Sequence, residues 1–572
     1  SEKAVLFVGE DRFAVREKIT AELEKAGHVA KIEDYTNKVG YSERTDAAIE
    51  PRLSAQWFLK MSELVKPALE NVMNGPIAFH PPKFKNIYRH WMENIKDWCI
   101  SRQLWWGHRI PVYYLPDGSY VVAESPEQAL ELARQKVPGM APEDLRQDED
   151  VLDTWFSSWL WPISVFDGIR YPENKEIEYY YPTNDLVTAP DIIFFWVARM
   201  IMTGYEYRGQ YPFKNVYFTG MVRDKLRRKM SKSLGNSPDP LDLIASYGAD
   251  GVRVGMLLCS PAGGDLLFDE SLPLQGAGFA TKIWNSFRLL RGWTVDPSIP
   301  QPEHSRLAVE WFRHRFAAVL EQTNDHFDKF RISDALMNVY TTIRDEFSGW
   351  LLEIVKPAYL QPIDAKTYAG LVELFDAVLR FLHPFMPFVS EEIWQLLRER
   401  AAGESIMISS WPESTPYDEA LTGRFEDVKE TITGIRNIRT ANNLPNKEPL
   451  ELAVMPGDKG YDSTFDPVLL RMGNLSSLRK VEQEVDGAVS FMVKSSRFFI
   501  PVGDLLNVEE ELGKLTAELE YARGFLHSVM KKLNNERFVS SAPQAVVATE
   551  YAKKTDAEAK IKALEEQIAR LK

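Results

Sequence analysis

The residues whose types and spacing could do chemistry lie near the middle of the chain, at Lys229-Met230-Ser231-Lys232-Ser233. Two lysines three apart in a short polar run, followed by Leu234-Gly235-Asn236, offer flexible ammonium groups, each a point charge with three donors. Such groups suit oxygens whose charge shifts during a reaction, and a triphosphate has oxygens of that kind. Arg223, Lys225, Arg227 and Arg228 stand just upstream. The whole chain carries a formal net charge of -14, so this stretch runs against its background; a plain solvated basic loop is the other account of it. A second run, 191–200, sets Ile192 and Trp196 four apart, which on a helix puts them on one face. That face could wall a small apolar pocket or be ordinary core, with Ile193, Val197 and Met200 packing elsewhere. Trp155, in the acidic-to-aromatic segment 148–158, has the same two readings. The run 248–253, Gly-Ala-Asp-Gly-Val-Arg, opens a helix in which Asp250 caps or makes an ion pair.

Several elements must position these groups. At 572 residues the chain holds roughly three to five domains. Two cysteines, Cys99 and Cys259, exclude a disulfide framework and a four-cysteine zinc site, and fit a reducing, cytoplasmic setting. No apolar run reaches the roughly 18 residues of a membrane span, and no signal peptide opens the chain. Net acidity excludes indiscriminate coating of nucleic acid but not a nucleic-acid partner met by local basic patches. Periodicity predicts a helix over 11–27 with Phe13, Val15, Ile19 and Leu23 on its apolar side, and another over 53–71. An insertion at 111–147 carries a helix at 126–135. Residues 148–275 mix apolar runs such as 216–218 with helices, as a parallel-sheet α/β domain does. Residues 276–400 read as a helix bundle, and 425–505 return to mixed α and β, with strands at 450–455 and 498–502. In the last segment Leu512, Leu515, Leu519, Ala522, Leu526, Val529 and Leu533, and then Ile561, Leu564, Ile568 and Leu571, follow spacings of three and four. Separated by a breaker at 534–544, they read as an antiparallel coiled-coil hairpin with a first arm of about 30–35 Å, or as two ordinary bundle helices.

Taken together these blocks resemble the valyl-tRNA synthetase family, over essentially the whole chain. The lysine run resembles the KMSKS loop of class I aminoacyl-tRNA synthetases. Trp-Cys-Ile-Ser-Arg-Gln at 98–103, Trp-Gly-His-Arg-Ile-Pro at 106–111, and Asp-Thr-Trp-Phe-Ser-Ser at 153–158 match the family's pattern. So do His-Pro-Phe-Met-Pro-Phe at 383–388, with Glu391, Glu392 and Trp394. The terminal heptads favour the valyl over the isoleucyl or leucyl relatives. The resemblance implies an α/β plus all-α chain in five parts. Residues 1–45 would be the remnant of an editing domain, and 46–275 the second half of a doubly wound, Rossmann-like catalytic domain. A helical-bundle anticodon-binding domain at 276–424, a small α/β junction at 425–505 and an antiparallel coiled-coil tRNA-binding arm at 506–572 would follow.

The roles it implies transfer residue by residue. Lys229 and Lys232 are the catalytic pair, holding the phosphates of ATP with Mg²⁺ while the carboxylate of valine attacks the α-phosphorus. Met230, Ser231 and Ser233 complete the ATP-binding loop, and Asp191 faces the ribose. Trp155, Ile192 and Trp196 line the valine pocket. Lys282, Asn285 and Arg288 meet the anticodon arm; Lys531, Lys532 and Arg537 meet tRNA phosphates from the coiled coil. ATP with Mg²⁺ is expected as substrate, tRNA(Val) and valine as partners, a monomer as the assembly, and neither zinc nor a membrane.

Some positions depart from the family. Arg227 replaces a frequent glycine, and Ala277-Gly278 stand where an Arg-Asn pair is common. No His-Ile-Gly-His motif occurs, and His80, His90 and His108 read as satisfied or surface histidines. That motif lies in the family's other half of the nucleotide fold. The expectation is therefore a C-terminal part of a longer enzyme that alone neither activates valine nor edits. The rival readings are an isoleucyl or leucyl synthetase, a non-catalytic tRNA-binding protein, or a coiled-coil scaffold.

Overall fold

The chain divides into two compact units, Ser1–Lys60 with Asp97–Asp153, and Met61–Lys96 with Thr154–Lys572. The structure is a computed structural model that describes residues 7–571, except 43–44, 52, 232–233, 261, 443, 459, 502–507, 536–537 and 540–542.

In the first unit the expected N-terminal helix spans Arg12–Lys25, opened by Asp11, whose carboxylate accepts from Phe13 N at 2.9 Å and Ala14 N at 3.3 Å. Its predicted apolar side is not buried: Phe13, Ile19 and Leu23 are exposed. Phe13 and Val15 point nearly opposite ways on a 100° helix, so the four residues never formed one stripe. The helix predicted over 53–71 begins only at Val65, because Phe58 and Leu59 instead pair antiparallel with Cys99 and Trp98. The insertion folds around its helix, Pro126–Lys136, capped by Ser125 and packed on a three-stranded antiparallel sheet through Ala129, Ala133, Tyr113 and Val121.

In the second unit the expected parallel sheet is three-stranded. Strand β1 (Ala78–His80), β2 (Thr183–Thr188) and β3 (Phe213–Phe218) lie in the order β1-β3-β2. Phe79, Val216 and Leu186 align across it and are all buried. His80 is satisfied there, within 3.1 Å of Asn215 Oδ1 and stacked on Phe330 at 3.8 Å. After β3 come helices α1 (Ala249–Leu258) and α2 (Ser271–Arg291). Their backbones nearly touch: a Cβ on Gly276 would fall 2.1 Å from Gly251 O, and one on Gly255 2.3 Å from Leu272 O. Glycine at these positions is what permits the close crossing.

The bundle continues with α3 (Glu303–Asp328), α4 (Ile332–Thr341), α5 (Ala365–Leu382), α6 (Pro387–Leu397) and α7 (Glu419–Ala441). One core joins them, with Phe312, Phe347 and Phe375 fully buried and Trp311 stacked on Phe425 at 3.7 Å. A four-stranded sheet follows, in the order β5-β4-β7-β6, from β4 (Leu450–Met455), β5 (Leu475–Lys480), β6 (Ala488–Val493) and β7 (Ser496–Pro501). The predicted strand at 450–455 has those same limits. Last come α8 (Val508–Leu533) and α9 (Gln544–Leu571). Leu515, Leu519, Ala522 and Leu564 form their buried seam. The pairs Lys560–Glu518 at 2.8 Å, Arg523–Glu565 at 2.5 Å and Lys532–Glu550 at 3.6 Å show that the two run antiparallel. The heptads were legible because each seam residue recurs on one face.

Candidate functional site

The lysine loop begins as a tight turn. Arg223 and Lys229 form an antiparallel bridge, Arg227 N donates to Asp224 O at 2.8 Å, and Asp224 N donates to Arg228 O at 3.1 Å. Arg227 sits at φ +63°, the left-handed region that glycine occupies freely. The frequent glycine of the family at this position thus has a conformational reason, and Arg227 holds the turn at a cost.

The carboxylate of Asp224 is the hub. Its Oδ1 accepts from Leu226 N at 3.0 Å and Arg228 N at 2.8 Å; its Oδ2 accepts from Arg228 Nε at 2.8 Å and Asn236 Nδ2 at 3.0 Å. The Asn236 amide foremost, with the backbone and guanidinium of Arg228, holds this carboxyl at about 2 against the opposing effect of desolvation. Asn236 spends its remaining capacity on the loop itself. Its Nδ2 donates to Lys229 O at 3.2 Å and its Oδ1 accepts from Ser231 N at 2.9 Å.

Three of the four upstream cations, Arg223, Lys225 and Arg228, are matched by carboxylates. Arg223 pairs with Asp265, and Lys225 with Asp269 at 2.7 Å, which draws Asp269 down to about 2. Lys229 is exposed and makes no ion pair among the described residues. Met230 borders a hollow of about 540 Å³ together with Asp224, Arg228, Asn236 and Asp269. Lys232 and Ser233 lie outside the described residues. Of the basic residues in this stretch, Arg223, Lys225 and Arg228 therefore serve the loop's own architecture, while Arg227 and Lys229 are exposed and make no ion pair among the described residues.

The proposed pocket residues fall on two neighbouring elements. Trp155 lies in the short helix Thr154–Ser158 and stacks on Phe195 at 6.1 Å. Trp196 stacks on Trp161 at 5.4 Å and donates its Nε1 hydrogen to Ser158 O at 3.2 Å. The helix expected to carry Ile192 and Trp196 on one face is not an α-helix there. Pro190–Ile192 is a 3₁₀ turn and Ile193–Val197 a π-helical one, so Ile192 precedes the segment that bears Trp196. Pro190 at the start of the turn favours this tighter opening. Ile192 and Trp196 are half-buried, and Ile193, Val197 and Met200 are buried, as the spacing predicted. Asp191 is exposed on the 3₁₀ turn.

Two other motifs prove to be one junction. Asp250 accepts from Phe388 N at 3.3 Å and Val389 N at 2.7 Å, capping α6 from a helix far off in sequence. Arg253 donates to Phe385 O at 3.3 Å and Pro384 O at 3.2 Å, while His383 Nδ1 lies 2.7 Å from Ser390 Oγ. The cap reading of Asp250 holds, with its helix now identified. Beside this junction Trp284, Phe388, Glu391 and Met407 line an open hollow of about 750 Å³.

Lys282, Asn285 and Arg288 are all exposed on α2, whose other side buries Ile283, Ser286, Phe287 and Leu290. Lys531 and Lys532 are exposed at the end of α8, and Arg537 lies outside the described residues. Sequence reasoning missed Asp224 and Asn236 as a pair. A turn-forming Asp followed by two basic residues was visible, but its bond to Asn236 spans twelve positions.

Comparison with known proteins agrees with these features. Residues 15–269 match the family model of class I tRNA synthetases for isoleucine, leucine, methionine and valine. Residues 309–454 match the anticodon-binding domain of tRNA ligases, and 507–572 match the valyl tRNA synthetase tRNA binding arm. The chain is 61% identical, over its whole length, to a valine–tRNA ligase of Parabacteroides distasonis and 58% identical to that of Phocaeicola vulgatus, in each case covering 65% of the relative. It is 39% identical over 96% of its length to the valine–tRNA ligase of Chlorobaculum tepidum, covering 62% of it. The chain thus spans about 65% of the length of the first two relatives. On the strength of three matched domains in family order and this identity throughout, the chain belongs to the valyl branch of the class I tRNA synthetase family.

Proposed function

We propose that this chain supplies the ATP-binding loop, one wall of the amino-acid pocket and the tRNA-binding elements of an ATP-dependent ligase that joins valine to tRNA(Val). The observation that carries this is a lysine loop of family sequence in which Lys229, the one described lysine of its Lys-Met-Ser-Lys-Ser run, is exposed and makes no ion pair among the described residues. Lys229 and Lys232 would neutralise the polyphosphate as charge moves onto pyrophosphate. Contacts of this charge-assisted kind contribute roughly 1.5–3 kcal/mol each, and most where they strengthen in the transition state. Met230, Ser231 and Ser233 shape that loop, Asp191 is assigned to the ribose, and Mg²⁺ accompanies ATP as co-substrate.

Trp155, Ile192 and Trp196 are assigned to the valine side chain. Lys282, Asn285 and Arg288 are assigned to the anticodon arm, and Lys531, Lys532 and Arg537 to phosphates along a coiled-coil arm at 506–572. The domain limits 1–45, 46–275, 276–424 and 425–505 belong to the same reading, as do a monomeric cytoplasmic enzyme and inactivity of the 572-residue chain by itself.

The test is ATP–pyrophosphate exchange by the full-length protein with valine and with isoleucine. Exchange dependent on valine, reduced at least tenfold by Lys229→Ala and by Lys232→Ala, is the expected result. Exchange untouched by both changes together would overturn the assignment, and preference for isoleucine would move it to the isoleucyl branch.

A further inference from the structure

We propose that Asp224 and Asn236 are positioning residues: a closed hydrogen-bonded clamp that holds the two limbs of the lysine loop in register, so that Lys229 projects from a preset turn. This rests on the reading of the loop as the ATP-binding element and adds two residues that do not themselves touch ATP.

The geometry forms a complete circuit. Asp224 has four hydrogens directed at one carboxylate, two from its own turn, one from Arg228 and one from Asn236. Asn236 uses both amide hydrogens and its oxygen, on Asp224, on Lys229 O and on Ser231 N. The backbone on both sides of Met230 is therefore tied to one amide, and that amide to one carboxylate. The Asp224 side chain is only 12% exposed, so water competes poorly for these bonds. Two left-handed residues, Arg227 at φ +63° and Gly235 at φ +62°, turn the chain at each limb, and Arg223–Asp265 and Lys225–Asp269 anchor the base. Every bond in the circuit is made by the chain itself, so the order of the loop costs nothing at the moment of reaction, which is how fixed charges stabilise a transition state best.

The experiment removes the donor in two ways. Asn236→Asp sets two carboxylates where a donor and an acceptor now lie 3.0 Å apart. Asn236→Ala instead removes the amide donor without adding a charge. In the 572-residue chain, amide hydrogen exchange over residues 224–238 reads the clamp directly. In the full-length protein, ATP–pyrophosphate exchange reads its consequence. Asn236→Asp is expected to speed amide exchange at least tenfold. It is also expected to lower kcat at least tenfold, while the KM for valine stays within twofold. Asn236→Ala is expected to shift both readouts in the same direction, by at least threefold.

Slow amide exchange retained in the Asn236→Asp or the Asn236→Ala chain would overturn the clamp. Faster amide exchange with unchanged kcat would show a clamp that positions nothing, and would overturn the positioning role. A wild-type protein lacking valine-dependent exchange would sink the functional reading instead, and the amide exchange would still decide the clamp.

Discussion

Most of the cations beside Lys229 are already paired, Arg227 being the exception among the described residues. Arg223, Lys225 and Arg228 each meet an aspartate, and two of those aspartates, Asp224 and Asp269, are drawn down to about 2. A carboxyl whose folded value lies below its ordinary one stabilises the fold above that ordinary value and loses the contribution as pH falls towards the folded one. The loop should therefore keep its amide-exchange protection from pH 5 upward and loosen only as the solution is acidified from about pH 4 towards 2, which hydrogen-exchange at several pH values would show. Arg227 is the opposite case, a residue working against its backbone. A left-handed arginine costs about 1–2 kcal/mol, partly returned by the lower chain entropy of a non-glycine residue. Arg227→Gly is expected to stabilise the chain by about 0.5–1 kcal/mol in urea denaturation; destabilisation would mean that the arginine side chain earns its place through contacts. The basic run itself was readable because lysines and arginines crowded together in an acidic chain are a local signal. The Asp224–Asn236 bond was not, because its two ends acquire meaning only when the turn between them is folded.

Among the elements, periodicity succeeded where packing is one-sided and repeated. Strand 450–455 and the terminal heptads came out with nearly their observed limits for that reason. It failed at 193–197, where a π-helical turn shifts every later side chain, a change no hydrophobic spacing encodes. It failed again at 53–64, where strand pairing of Phe58 and Leu59 outweighed helical pattern. The cap of α6 shows a third limit. Met386, at the local N-cap position, makes no side-chain cap bond, and Asp250 supplies the acceptor from α1. Asp250→Ala should cost about 1–2 kcal/mol, the usual worth of a cap, and Asp250→Asn distinctly less, since an amide oxygen still accepts. Thermal unfolding of the two variants beside the parent checks the order; equal losses would show that charge rather than acceptance matters at this helix end.

On the scale of the whole chain, the arm's seat is specific. Arg497, only 13% exposed in its side chain, pairs with Glu484 and reaches Glu566 of α9 at 3.2 Å, and Gln567 Nε2 donates to Ser490 O at 2.9 Å. The arm thus rests on the β4–β7 sheet through polar contacts near the end of α9. Arg497→Ala should leave each domain folded but widen the range of arm angles, seen as a larger radius of gyration in solution scattering and as at least fivefold weaker tRNA binding; an unchanged radius would place the restraint elsewhere. With a net charge of -14, binding of a polyanion must rely on the few basic faces named above. Under the proposed function, affinity for tRNA should fall with salt at a slope of only a few counterions, and lose roughly one unit of slope when a lysine assigned to phosphate, such as Lys531, is removed.

The glycine seam between α1 and α2 bears on how force would pass through such a molecule. Where Gly251, Gly255 and Gly276 bring two backbones together, there is no compressible layer of side chains to absorb a displacement. Helix α2 is 21 residues long, a rod of about 32 Å, with Lys282 and Arg288 on its outer side. A push delivered at those outer positions would arrive at α1 as motion of the whole rod, in the manner of a stiff lever. A single added methyl group in this seam would push the two rods apart along their length.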